Sequence, residues 1–258
     1  ENIHLGIFDP PIAAYLTADV IAKAVEYLNE AEKLADSTEV LQRVPLFTDL
    51  NEAELARFAE VTREREYPKN SVILFEDDPG DALYIVSTGQ VKVVLIGEDG
   101  REVILSVLGD GDFFGEMAII DDEPRSAHVI AMKDSHLLVL RREAFQDQLE
   151  HHPKIALKLL RVLVQRLRRA DEKIGGLVLL DVNGRVAQLL LDLAEESGGP
   201  KITRRLTHHT IAQMIGSSRE TVSRAMRELV ERGFIEVSRR EITIRQRDSL
   251  HSLAGSKA

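Results

Sequence analysis

Thr207-His208-His209-Thr210-Ile211-Ala212-Gln213-Met214-Ile215-Gly216-Ser217-Ser218-Arg219-Glu220-Thr221-Val222-Ser223-Arg224 reads as a helix, a glycine turn and a second helix. Gly216 suits the turn because the left-handed conformation that closes a helix carries no Cβ penalty at glycine. Ser217 with Glu220 three residues on predicts a capping box at the start of the second helix. Along that helix Val222, Met226, Leu229 and Val230 form the apolar stripe, which turns Arg219, Glu220, Ser223, Arg224 and Arg227 outward. Arginines on such a face can fork onto guanine O6 and N7 in a major groove, and a glutamate there can accept from cytosine N4. Thr207, Ser217, Ser218 and Thr221, polar residues at the two helix starts, complete the candidate DNA contacts.

Outward from this core, Gly233–Val237 and Glu241–Ile244 supply a wing hairpin. A helix through Val186, Leu189, Leu190 and Leu193 begins after Asp181 and stops at Ser197-Gly198-Gly199-Pro200, so the expected unit spans 181–258. Before it, segment 153–180 carries a long helix from Lys154 to about Leu180. Ala156, Leu160, Leu163, Leu167, Ala170, Ile174 and Leu177 recur there at alternating steps of four and three, a heptad seam that predicts pairing with a second copy of the chain. Ile155, Leu159 and Val162 lie off that seam and can pack inward. Gly175-Gly176 predicts a bend, glycine being a poor helix former.

Segment 41–152 changes to short β-rich runs: Ser71–Phe75, Leu83–Ser87, Gln90–Ile96, Glu102–Leu108, Ala127–Met132 and His136–Leu140. They are separated by Pro79-Gly80-Asp81, Gly89, Gly97–Gly100 and Gly109–Asp112, and many short strands with regular turns predict an antiparallel jelly roll. A short helix, Asn51–Val61, precedes them. Segment 1–40 reads as an extended arm over 1–11 and an amphipathic helix over Thr17–Ala35. The fold class expected is therefore α+β: a jelly roll, a long dimerisation helix and a C-terminal winged helix-turn-helix.

Phe113-Phe114-Gly115-Glu116-Met117-Ala118-Ile119-Ile120, followed by Asp121-Asp122-Glu123-Pro124-Arg125-Ser126-Ala127, carries the chemistry of the β-rich half. A glycine admits close backbone approach, a short helix offers free N–H groups, and an arginine nine residues after the glutamate can return to the same anion. Phosphate binding beside a sugar acceptor is one reading; an Arg125–Glu116 ion pair that closes the barrel is the other. The pattern F-G-E, short helix, P-R-S-A resembles the phosphate cassette of cyclic-nucleotide-binding domains. That resemblance implies Glu116 on the ribose 2′-hydroxyl, Arg125 on the cyclic phosphate, and Gly115 and Ser126 as further donors. Ser218-Arg219-Glu220-Thr221-Val222-Ser223-Arg224 resembles the recognition helix of Crp/Fnr transcription factors of the Crp-like branch, and the likeness runs from about Val44 to Gln246.

The resemblance implies a homodimer on double-stranded DNA at a palindromic TGTGA-like site, with RNA polymerase as a further partner. In cyclic-AMP-responsive members a Thr-Ser pair precedes E-K-[VI] on the dimer helix, where this chain has Ala170-Asp171 before Glu172-Lys173-Ile174. A carboxylate suits the N1–H and N2–H donors of guanine better than the adenine edge. Asp171 thus points to cyclic GMP or cyclic di-GMP over cyclic AMP, the alternative being a regulator that needs no nucleotide.

Composition agrees with this division. Of 258 residues 44% are apolar and 29% charged, and no stretch nears the ~20 continuous apolar residues of a membrane span. Residues 1–182 carry 20 Lys and Arg against 34 Asp and Glu, whereas 183–258 carry 13 against 9, so only the tail has the charge to meet a polyanion. The absence of cysteine excludes disulfides, thiolate metal sites and cysteine nucleophiles, and fits a reducing cytoplasm. Glu1-Asn2-Ile3 lacks the basic start of a secretory signal. A cupin-like metalloenzyme would share the jelly roll but needs several convergent histidines, and only His128 and His136 fall in strands.

Overall fold

The computed structural model describes residues 18–204, 206–238 and 241–255. The expected arm over 1–11 lies outside them. Helix α1 spans Ala18–Arg43, longer than predicted, and α2 spans Glu52–Val61. Asn51 caps α2 reciprocally: its Oδ1 accepts from Glu54 N–H at 2.9 Å and its own N–H donates to Glu54 Oε2 at 2.8 Å. Leu41 and Val44 are fully buried with Phe47 and Phe58, so the break expected at residue 40 falls inside a helix anchored on the barrel.

Eight strands follow: β1 (Thr62–Tyr67), β2 (Val72–Leu74), β3 (Ala82–Thr88), β4 (Val91–Ile96), β5 (Glu102–Leu108), β6 (Phe113–Phe114), β7 (His128–Ala131) and β8 (Ser135–Arg141), with α3 (Met117–Ile120) between β6 and β7. They form two antiparallel four-stranded sheets, ordered β1-β8-β3-β6 and β2-β7-β4-β5, the expected jelly roll. Strands β3 and β8 are buried on both faces. Ala82, Tyr84, Val86, Leu137 and Val139 point between the sheets, while the alternating Leu83, Ile85, Leu138 and Leu140 face the helices. That second face is covered by the end of α1, by α2, by α4 (Arg142–His151) through Phe145, and by α5 through Ile155 and Leu159.

Helix α5 runs from Pro153 to Leu179 and continues through Gly175-Gly176. Its outward stripe shares Leu160, Leu167 and Ile174 with the predicted seam and departs from it at the positions between. Leu157, Leu160, Val164, Leu167, Ile174 and Val178 are exposed, whereas Leu163 packs against the barrel with Val162, and Ala156 is half-buried. Ala170 and Leu177 remain exposed beside the stripe. The reason is that α5 must also cover the sheet, and the stripe through Ile155, Leu159 and Val162 that does so carries Leu163 with it.

The C-terminal unit comprises α6 (Val182–Glu196), β9 (Lys201–Ile202), α7 (His208–Ile215), α8 (Arg219–Glu231), β10 (Ile235–Ser238), β11 (Glu241–Ile244) and α9 (Arg247–Leu253). Asp181 caps α6 by accepting from Gly184 N–H at 2.8 Å. One core joins Leu190 of α6, Ile211 and Ile215 of α7, Val222, Met226 and Leu229 of α8, Ile235, Ile242 and Ile244 of the wing, and Leu250 of α9. Strand β9 joins the wing as the third strand, in the order β10-β11-β9. Val230, expected in the buried stripe, is exposed.

Candidate functional site

Gly115 leaves β6 at φ +85°, and a Cβ there would stand 2.6 Å from Arg125 Nη1 and 3.0 Å from Ala82 O. Only glycine permits both the backbone turn and the close approach of that guanidinium. Arg125 is 3% exposed; its Nη1 donates to Gly115 O at 2.7 Å and its Nη2 to Ala82 O at 2.9 Å and, weakly, to Asp81 Oδ1 at 3.4 Å. Its guanidinium stands over the ring of Tyr84, which stacks on Phe114. Burial pushes the Tyr84 hydroxyl above the usual phenol range.

Glu116 is 2% exposed and does not pair with Arg125. Its Oε1 accepts from Arg166 Nη1 at 2.6 Å, while Arg166 Nη2 donates to Phe113 O at 2.5 Å and the guanidinium covers the Phe113 ring. Glu116 Oε2 and Arg125 Nε are buried without a hydrogen-bond partner among the described residues. A buried carboxylate oxygen and a buried guanidinium N–H lying free are an acceptor for a sugar hydroxyl and a donor for a phosphate, so these residues fit the group that the cassette pattern implies. Ser126, next to Arg125, is exposed.

Arg166 escaped the sequence reading because it lies among Arg161, Arg168 and Arg169, which look like a solvated face. A usable signal was present: Ile155, Leu159, Val162, Arg166 and Lys173 follow one helical stripe. Lys173 likewise turns to the barrel, donating to Ile104 O at 2.5 Å, and burial holds its amine below the usual lysine range. Asp171 is exposed, falls between Leu167 and Ile174 on the outward stripe, and forms no hydrogen bond or ion pair among the described residues.

The second cluster lies on α7 and α8. Thr207 Oγ1 accepts from Thr210 N–H at 3.0 Å and caps α7; Gly216 closes that helix at φ +64°. The cap of α8 is Ser218, whose Oγ accepts from Thr221 N–H at 3.1 Å, one residue later than predicted. Ser217 instead donates its N–H to Ala212 O within the turn. Arg219, Glu220, Arg224 and Arg227 are exposed on one face, with Thr221 and Ser223 half-buried beneath them. Arg219 and Arg227 form no ion pair among the described residues. The Glu220 carboxyl is held below its usual range by its own backbone N–H, then by the Ser218 hydroxyl.

The two units touch where α7 meets β5. Gln213 Nε2 donates to Glu102 Oε2 at 2.8 Å, Glu102 also pairs with Lys92, and Leu177 Cδ2 lies 3.4 Å from where a Cβ on Gly216 would be. The cluster of histidine and carboxylate ligands that a metalloenzyme requires does not occur among the described residues. None of the described helices is long and apolar enough to cross a membrane.

Residues 64–152 match the cyclic nucleotide-binding domain and residues 184–253 the Crp-like helix-turn-helix domain. Over 217 residues, 82% of this chain and 97% of the relative, the sequence is 34% identical to the CRP-like cAMP-activated global transcriptional regulator of Mycobacterium tuberculosis. The chain belongs to the CRP-like family of transcription regulators. This CRP-like regulator is also similar in structure to FixK2 of Bradyrhizobium japonicum, at TM-score 0.68 and 27% identity, covering 77% of this chain and all of that one. The c-di-GMP-responsive global regulator CLP of Xanthomonas campestris matches at TM-score 0.67 and 25% identity, covering 75% of this chain and 99% of that one. Family and fold make the chain a DNA-binding regulator and not an enzyme, which sets the cupin-like reading aside. In this CRP-like regulator the buried Glu116 and Arg125 lie within the segment matched by the nucleotide-binding domain, and the exposed arginines of α8 within the segment matched by the helix-turn-helix.

Proposed function

We propose that the chain acts in the cytoplasm as a homodimer that reads a palindromic TGTGA-like site and is gated by a cyclic nucleotide held at Gly115, Glu116, Arg125 and Ser126. The observation that carries the gating is the pair of buried, unpartnered atoms, Glu116 Oε2 and Arg125 Nε. Leaving such atoms without partners costs about 1–3 kcal/mol each, which a ribose hydroxyl and a phosphate oxygen would recover. The reading face is the exposed row Arg219, Glu220, Arg224 and Arg227, with Thr207, Ser217, Ser218, Thr221 and Ser223 placing it against the backbone. Pairing through the outward stripe of α5 would set two such faces on successive major grooves. RNA polymerase is the partner through which such a regulator would act on transcription.

Asp171 takes the place that the family pattern sets nearest the base edge of the nucleotide. Its carboxylate can accept from guanine N1–H and N2–H together, which favours cyclic GMP or cyclic di-GMP over cyclic AMP, although the M. tuberculosis relative is named as cAMP-activated. One observation favours a second reading, a regulator independent of nucleotide: Arg166 already satisfies Glu116 Oε1, and chain carbonyls already hold Arg125. Calorimetric titration with cyclic AMP, cyclic GMP and cyclic di-GMP, in parallel with binding to a TGTGA palindrome, decides between them. Tighter guanine binding that Asp171→Ser narrows supports the first reading. Failure of all three at millimolar concentration, with DNA binding intact, supports the second.

A further inference from the structure

Arg142, the first residue of α4, reaches the stretches that form the cradle. Its Nε and Nη2 donate to Gly80 O at 2.9 and 2.6 Å, Nη2 donates also to Ala118 O at 2.6 Å, and Nη1 pairs with Asp122. Its backbone N–H donates to Asp81 O at 2.9 Å. One side chain, 23% exposed, therefore joins two stretches far apart in sequence, 80–82 and 115–122. Arg125 bridges the same two stretches, through Ala82 O and Gly115 O. The packing between them has no slack, since a Cβ on Gly80 would stand 2.3 Å from Ala118 Cβ. One turn along α4, Gln146 Nε2 adds a longer bond, 3.4 Å, to Ile119 O.

We infer that Arg142 is a positioning residue of the effector cradle. It fixes the separation of 80–82 from 115–118, and with it the point at which Arg125 presents its guanidinium to an anionic phosphate. The chemistry requires arginine: a planar fork can serve the Gly80 and Ala118 carbonyls and the Asp122 carboxylate together, whereas an ammonium is a single point charge on a flexible stem. If the two stretches separate, Arg125 keeps one carbonyl, loses the other and turns its Nε away. The inference rests on the proposed reading of the cradle as a cyclic-nucleotide site, and adds to it a residue outside the cassette that touches no ligand.

The test uses the full chain with Arg142→Ala and Arg142→Lys. Calorimetry with cyclic AMP and cyclic GMP, and with the two phosphorothioate diastereomers of each, is combined with thermal melting and with hydrogen exchange of the protein alone. Arg142→Ala should weaken both nucleotides by about tenfold or more. It should also bring the diastereomer ratio towards one while leaving the cyclic GMP to cyclic AMP ratio unchanged, because the phosphate and not the base has lost its partner. Arg142→Lys should recover the melting temperature without recovering affinity. Exchange should rise in peptides covering 80–82 and 115–122 in both variants. A folded Arg142→Ala protein with wild-type affinity and diastereomer ratio, full rescue of affinity by lysine, or unchanged exchange at those peptides overturns the inference. If the wild-type protein binds neither nucleotide, the reading of the cradle fails, and the exchange comparison alone still decides whether Arg142 holds the two stretches together.

Discussion

Leu163→Asp, set beside Leu167→Asp, distinguishes the outward stripe seen on α5 from the seam that the sequence suggests, because Leu167 belongs to both and Leu163 only to the second. Leu167 is 62% exposed in the single chain. Full burial of a leucine contributes about 1.5–3 kcal/mol, so covering the remaining area is worth roughly 1–2 kcal/mol per protomer and 2–4 kcal/mol per dimer. Losing that should raise the dimer dissociation constant by roughly 30- to 1000-fold, before the repulsion of two facing carboxylates is counted. The monomer should keep its melting temperature, because Leu167 supports no part of the barrel. Leu163→Asp should behave in the opposite way: Leu163 packs on the cluster that holds Phe145 and Leu159, so its replacement should cost about 3 kcal/mol or more of folding stability. Sedimentation equilibrium paired with thermal melting reads both effects. The reasoning is refuted if Leu163→Asp dissociates the dimer and melts normally, since the interface would then follow Ala156, Leu163 and Ala170.

Arg219→Ala or Arg224→Ala should each cost about 1–3 kcal/mol on a TGTGA palindrome and relax preference at a single base position, as measured by competition with singly substituted sites; equal loss on random DNA would make them phosphate contacts. Ser218→Ala should destabilise the C-terminal unit by about 1 kcal/mol in chemical denaturation, while Ser217→Ala, whose hydroxyl caps nothing, should leave it within about 0.5 kcal/mol. Arg166→Gln removes the charged partner of Glu116 and should reduce the difference in DNA affinity between nucleotide-saturated and nucleotide-free protein, a ratio obtained from fluorescence anisotropy with and without cyclic nucleotide.

The elements that could be read from sequence are those in which one pattern satisfies one environment. Gly216 between two amphipathic stretches admits a single reading, and the structure has the same turn. The runs Ala82–Val86 and Leu137–Leu140 read as strands because both their faces are covered, which makes them continuously apolar. Strand β1, Thr-Arg-Glu-Arg-Glu-Tyr, was invisible for the opposite reason: it pairs only with β8 at a sheet edge and exposes nearly all its side chains. Helix α4 buries only Phe145, which leaves almost no periodic signal. On α5 the steps of three and four fit 156-160-163-167 and 157-160-164-167 equally well, and only the barrel's demand for Ile155, Leu159 and Val162 selects between them. The cradle residues Gly115, Glu116 and Arg125 were legible as a local pattern. Arg166 and Arg142 were not, because their role depends on which carbonyls and carboxylates the fold brings within reach.

The same packing links the Glu116 cluster and the helix-turn-helix through one helix. Arg166 on the inner stripe of α5 is bound to Glu116 and to Phe113 O. Thirteen residues before it the helix begins at Pro153, and beyond it the unbroken helix carries Ile174 and Val178 on the outer stripe and Leu177 against the Gly216 turn. A rotation of α5 at Arg166 is carried along the unbroken helix to the outward stripe and, through Leu177, to the Gly216 turn. A ligand shifts such an equilibrium only by its differential affinity for the two arrangements. The Glu116–Arg166 contact is a part-buried charge-assisted hydrogen bond, worth about 1.5–3 kcal/mol at most. A sugar hydroxyl donated to the free Oε2 would draw on the same carboxylate charge and weaken the Arg166 contact on Oε1, biasing the orientation of α5 by at most roughly ten- to a hundredfold. Regulation of this size needs no contact between nucleotide and DNA-binding unit; it needs Glu116 to serve two partners, Arg166 through Oε1 and a ligand through Oε2.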